Sequence, residues 1–263
     1  MKIAVVGTSN IGAIKYAEAQ IAVEHPALQI TCYGLPGRGF DEAKVNETLV
    51  FQPNQSDSRL CKVAQRVNGC AGLDLTTFDH ILVIADTLGM PATLWTAASY
   101  DIADWPARTG RALLSEPAFL SAMHEAITPR ADHLRSQFGD MPIHVALAPY
   151  PTTAVVPKGD HHQMPYAAMA HHPEAARIQR LYRAALTRAL AARNMIFVPQ
   201  PDETIASPFL TKEPYGHGSM DFRAEGRLLN DHRHMNADFG ASLFRAFALT
   251  LHQHDAASQN QEG

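Results

Sequence analysis

Apolar residues along this chain fall into two alternating patterns. Short β-branched blocks end at glycine or proline, and longer stretches carry apolar residues three and four positions apart. Residues 1–7, Met-Lys-Ile-Ala-Val-Val-Gly, form the first block and predict a buried strand with a glycine stop. Residues 10–24 predict a helix, with Ile11, Ile14, Ala17 and Ile21 at helical spacing. Ser9 or Asn10 is the expected cap, because either side-chain oxygen can accept from the free N–H groups of a first turn. Residues 28–33 predict a second strand, which runs into Gly34-Leu35-Pro36-Gly37-Arg38-Gly39, a turn by its three glycines and its proline. Residues 40–77 are polar and weakly patterned, with a small β excursion around 48–51. A third strand is predicted at 81–85, helices at 91–100 and 116–127, and a fourth strand at 142–147, stopped by Ala148-Pro149-Tyr150-Pro151. A long helix over 173–194, a fifth strand at 195–198 and a closing helix over 237–252 complete the series.

Strands that alternate with helices imply an α/β fold, with a parallel sheet covered by helices on both faces. Right-handed crossovers then place all strand carboxyl ends on one edge, where ligands of such sheets bind. Ser9, residues 34–39, Asp86-Thr87 and residues 149–153 are all expected at that edge. A length of 263 residues suits one large domain, read here as 1–254, with a flexible tail at 255–263.

Composition narrows the class. Hydrophobic residues make up 46% and charged residues 18%, enough apolar surface for a sizeable core. The net charge is −4 and there is no dense Lys/Arg block, which argues against nucleic acid or an anionic membrane as the main partner. The three cysteines, Cys32, Cys61 and Cys70, are odd in number and lack C-x-x-C spacing, so neither a disulfide framework nor a cysteine zinc site is expected. Reduced thiols, the absence of a leader pattern and the absence of a membrane-length apolar run together predict a soluble cytoplasmic protein.

The candidate chemistry sits at the two ends. Ser9 stands where a strand hands over to a helix, so its hydroxyl is exposed and the helix dipole favours developing negative charge. As a nucleophile it needs a base and oxyanion donors; otherwise it is simply the cap. Asp231-His232-Arg233-His234 supplies a candidate base. At a separation of three, Asp231 can hold the Nδ1 proton of His234 and leave Nε2 to accept from a serine. The competing reading has Asp231 capping the following turn and His234 on the surface among the chain's 14 histidines; His232 is a rival base.

Gly7-Thr8-Ser9 after the first strand and the late Asp231-x-x-His234 resemble the SGNH hydrolase superfamily, the GDSL-type esterases and acyltransferases. Tyr33-Gly34-Leu35-Pro36-Gly37 is similar to the second block of that family, and His234-Met235-Asn236-x-x-x-Gly240 to its last. The resemblance implies a three-layer α/β/α, flavodoxin-like fold with a central five-stranded parallel sheet. It implies Ser9 as nucleophile, His234 as base and Asp231 as orienting acid. Its oxyanion hole would combine the N–H of Ser9, the N–H of Gly34 or Gly37, and an asparagine after the third strand. This chain departs there: Ile84-Ala85-Asp86-Thr87-Leu88-Gly89 contains no asparagine. An ionised Asp86 cannot donate, whereas the Thr87 hydroxyl can. The implied substrate is an oxygen ester of a small molecule or carbohydrate, with a short acyl group and no cofactor or metal.

Three further readings compete. Gly7–Gly12 is bracketed by glycines as a phosphate loop would be, but it matches neither G-x-G-x-x-G nor a P-loop, and no acidic residue ends the second strand. A non-catalytic binding module of the same fold would explain the missing asparagine. His161-His162 and His171-His172 suggest a metal, but their spacing fits no common zinc pattern. Residues 151–172 instead predict a polar lid whose Tyr166 and two methionines line a substrate mouth. Residues 212–228, with Pro214, Tyr215, Gly216 and His217, are the expected opposite wall.

Overall fold

The computed structural model describes residues 1–158, 164–220, 222, 229 and 231–259. Its centre is a five-stranded sheet: β1 (Lys2–Gly7), β2 (Gln29–Gly34), β3 (His80–Ile84), β4 (Ile143–Ala146) and β5 (Met195–Val198). The strands lie in the order β5-β4-β3-β1-β2 and every pairing is parallel. This is the flavodoxin-like doubly wound order, in which β1 and β3 are the neighbours whose connections leave in opposite directions.

Among the described residues, six longer helices cover the sheet: α1 (Gly12–Glu24), α2 (Ser58–Asn68), α3 (Met90–Ser99), α4 (Glu116–Phe138), α5 (Ala175–Ala191) and α6 (Ala237–Gln259). Alternation along β1 assigns them to layers. Ile3 and Val5 pack with Ile14 and Ile21 of α1 and with Phe244 and Phe247 of α6. Ala4 and Val6 face the other side, towards Leu94 of α3, Phe119 and Ile127 of α4, and Ile178 of α5. Residues 3 to 6 of β1 are fully buried. That accounts for the continuous apolar run, since a strand covered on both faces has no solvent side to mark. The architecture is therefore the expected α/β/α sandwich.

The segment 40–77 holds more structure than its sequence pattern indicated. It contains α2 and three short antiparallel strands, Lys44–Val45, Val50–Gln52 and Leu73–Asp74. Residues 37–41 form a short helix, Gly37–Asp41, in place of an open turn. Helix α4 continues past Pro129 to Phe138. A proline there removes one backbone bond, but Ile127, Ala131, Leu134 and Phe138 keep the helix buried on both sides of it. Helix α6 runs on to Gln259, into the stretch expected to be a tail, whose last residues, 260–263, lie outside the described residues. Among the described residues, no helix is long and apolar enough to cross a membrane.

Candidate active site

Ser9 heads a single 3-10 turn, Ser9–Ile11, between β1 and α1. Neither Ser9 nor Asn10 caps the helix, which begins without any side-chain cap. The Ser9 hydroxyl instead lies 2.9 Å from Nε2 of His234, a residue 225 positions away. Two local features bring the ends together. Gly240, in the first turns of α6, lies directly against the start of α1: a Cβ there would fall 2.0 Å from the Ala13 carbonyl oxygen. Asn236 caps α6 by accepting the Phe239 N–H at 3.2 Å, while its own amide donates to the carbonyls of Pro214 and His217. The chain just before α6 is thereby pinned over the chain just before α1.

Asp231 performs both of the roles expected of it in the alternative readings, one with each oxygen. Oδ1 accepts the backbone N–H of Arg233 at 2.8 Å and of His234 at 2.7 Å, closing the turn. Oδ2 lies 2.8 Å from His234 Nδ1. Burial pushes the Asp231 carboxyl up, but the bonds from the His234 ring and from the two backbone N–H groups outweigh it and hold the group well below the usual carboxylate range. An ionised carboxylate only accepts, so Nδ1 carries the ring proton and Nε2 is left to accept from the Ser9 O–H. The two side chains are 28% and 20% exposed, leaving the pair reachable from the cleft. His232 does not compete: it is buried, its carbonyl accepts the Thr152 N–H at 2.9 Å, and it is not part of the cleft lining.

The cleft beside Ser9 encloses about 270 Å³. Its polar lining among the described residues is Ser9, Asn10, Thr87, Tyr166, Arg233 and His234, and Ala148, Pro149 and Pro151 supply the apolar part. Thr87 stands after β3, next to the switch point, and lines the cleft with Tyr166, whose pKa is raised by burial. Tyr182 donates to the carbonyls of Thr87 (2.8 Å) and Leu88 (3.1 Å), which holds this loop with Leu88 at φ 41°. Asp86 is committed elsewhere. Its carboxylate accepts the Leu88 N–H at 2.7 Å and pairs with Arg130 of α4.

The two candidate oxyanion glycines separate. The Gly34 N–H donates to Asn68 Oδ1 at 2.8 Å, and Asn68 returns a bond to the Gly34 carbonyl, so this N–H is already used. A Cβ on Gly34 would sit 2.0 Å from the Phe222 ring. Gly37 is open, opens its short helix, and with Ser9, Leu35, Pro36 and Phe222 lines a smaller hollow of about 100 Å³ that also reaches the serine.

Other expectations need correction. In the 151–172 segment, Pro151 and Tyr166 reach the cleft, but Met169 is buried in the main core and Met164 is exposed. The short helices Val155–Lys158 and Met164–Met169 flank residues 159–163; those, with His161 and His162, lie outside the described residues. His172 accepts the Glu174 N–H at 3.2 Å, well suited to a turn. Pro214 and His217 hold Asn236 rather than form a wall, and Tyr215 packs edge-on against Phe239. Residues 221, 223–228 and 230 lie outside the described residues. Among the described residues, no three His, Cys, Asp or Glu side chains group as metal ligands would. The cleft residues that sequence reasoning passed over are Asn10 (read there only as a cap) and Arg233, since a single arginine in a polar stretch reads as surface charge.

No known protein family matches the chain, and no curated protein does. Among solved structures it is similar to a carbohydrate esterase family 2 enzyme with a carbohydrate-binding domain from Corynascus thermopiles (Myceliophthora fergusii). The identity is 12% and the TM-score 0.37, over 95% of this chain and 64% of that one. The chain thus spans a little under two thirds of that neighbour's length.

Proposed function

We propose that the protein is a serine-dependent ester hydrolase or O-acyltransferase of the SGNH type, working through an acyl-enzyme. The observation that carries this reading is the unbroken line from Asp231 through His234 to Ser9, with contacts of 2.8 and 2.9 Å, opening onto a cleft. A hydroxyl held against an imidazole, itself oriented by a partly buried carboxylate, is the arrangement that activates a serine.

In the first step the Ser9 Oγ–H proton passes to His234 Nε2 as Oγ bonds to the acyl carbon, and the carbonyl electrons move onto oxygen. That oxyanion is held by the Ser9 and Gly37 N–H groups, with the Thr87 hydroxyl standing where the family's asparagine would donate. As the tetrahedral centre collapses, the ester C–O bond breaks and His234 gives its proton to the leaving alkoxide. Water, or a second hydroxyl, then gives its proton to His234 and attacks the acyl-serine; collapse returns that proton to Ser9. No cofactor is needed. A cavity of about 270 Å³ whose walls mix polar and apolar surface suits a short acyl group on a polar, carbohydrate-like scaffold.

Labelling with a fluorophosphonate tests the assignment. The wild-type protein is expected to be labelled at Ser9, and Ser9→Ala to lose both labelling and ester turnover, the latter by on the order of 10³–10⁶-fold. Labelling that persists in Ser9→Ala, or near-normal ester turnover in His234→Ala, overturns the reading.

A further inference from the structure

We propose that Arg233 forms an anion subsite in this cleft, so that the preferred ester carries a negative charge close to its reacting carbonyl. The inference rests on the ester-transfer reading and adds a substrate class to it.

Arg233 is the one permanently charged residue lining the cleft, and no carboxylate residue lines it, among the described residues. No carboxylate among the described residues pairs with it, so its charge is not already neutralised by one of them. A guanidinium presents fixed, forked donors suited to a carboxylate or phosphate, and in water alone it gains nothing from facing a cleft. Its position is set by the catalytic turn itself. The Arg233 N–H donates to the same Asp231 oxygen that accepts the His234 N–H, so the backbone carrying the cation is in register with the backbone carrying the base. Charge balance adds a reason. The chain has a net charge of −4, a field that repels anions at long range. A single cation at the cleft reverses that locally and draws in an anionic ester where a neutral one gains nothing.

Two pairs of esters test this and locate the charge. Mono-p-nitrophenyl succinate against p-nitrophenyl butyrate places it on the acyl side; 4-acetoxybenzoate against 4-acetoxybenzamide places it on the alcohol side. In at least one pair the wild-type protein is expected to favour the anionic member in kcat/KM by about 10–100-fold, the range of a charge-assisted bond. Arg233→Gln should bring that ratio close to one, Arg233→Lys should keep part of it, and about 0.5 M salt should shrink it in the wild type. A merely structural role would lower both members together and leave the ratio unchanged. Ratios near one in both pairs, a ratio indifferent to Arg233→Gln, or Ser9 labelling without turnover of either anionic ester overturns the subsite alone. Absence of both turnover and Ser9-dependent labelling removes the ester-transfer reading, and the subsite with it.

Discussion

Asp231 divides its oxygens between shaping a turn and orienting a ring, and the two roles can be separated experimentally. Asp231→Asn keeps an acceptor for the backbone N–H groups but offers His234 Nδ1 either an amide donor or a weaker acceptor. Ester turnover is expected to fall by about 10²–10⁴-fold, read from kcat, while the protein stays folded. The pH dependence of stability follows from the depressed Asp231 pKa. A carboxyl whose folded pKa lies below its unfolded value, about 3.9, contributes stability above that value and loses it as pH falls towards the folded one. In urea unfolding, the gap between wild type and Asp231→Asn should therefore be constant above about pH 5 and shrink below about pH 4. Ser9 and the Asp231–His234 pair were legible because their chemistry demands particular residue types at particular spacings. Arg233 was not legible, since nothing in a lone arginine says which way its chain points. Gly34 and Gly37 were indistinguishable for a similar reason: the partner that occupies Gly34, Asn68, comes from a helix 34 positions later.

That helix, α2, shows how an element can be overlooked although its boundaries are marked. Asp57 caps it, accepting from the N–H groups of Arg59 and Leu60 at 3.0 Å, and Gly69 ends it at φ 75°. Those are sound start and stop signals. Its apolar residues Leu60, Val63, Ala64 and Val67 do recur at helical spacing, but Ala64 is the one fully buried among them, and the interleaved Arg59, Lys62, Gln65 and Arg66 make the stretch read as polar. The neighbouring strands of two or three residues are shorter than any periodicity can reveal. At the other end, the contact between α6 and α1 governs the site. Gly240→Ala would drive a methyl group into the Ala13 carbonyl, where only backbone can yield. A stability loss of about 1–3 kcal/mol is expected in denaturant unfolding, with ester turnover falling more steeply than the folded fraction because His234 moves with the helix. Asn236→Ala removes the cap and should cost about 1 kcal/mol by the same measurement.

The parallel sheet was the most legible feature of the molecule, because β1 and β3, buried on both faces, leave near-continuous apolar runs, and even the less buried edge strands β2 and β5 are short apolar-rich blocks between helical patterns. What the runs do not encode is strand order, which the pairings supply by setting β3 between β1 and β4. Hydrogen exchange should reproduce this layering. Amides of β1, β3 and β4 are expected to exchange slowest, and those of the short strands within residues 44–74 markedly faster, since these lie outside the doubly covered sheet. The docking of α6 on α1 also makes the proposed site a product of long-range closure. Ser9 and His234 lie 225 positions apart, so neither end of the pair can be held in place by its own local structure alone. On the proposed chemistry, a chain whose α6 has not settled against α1 carries a serine without its base, and ester turnover should appear only once that contact forms.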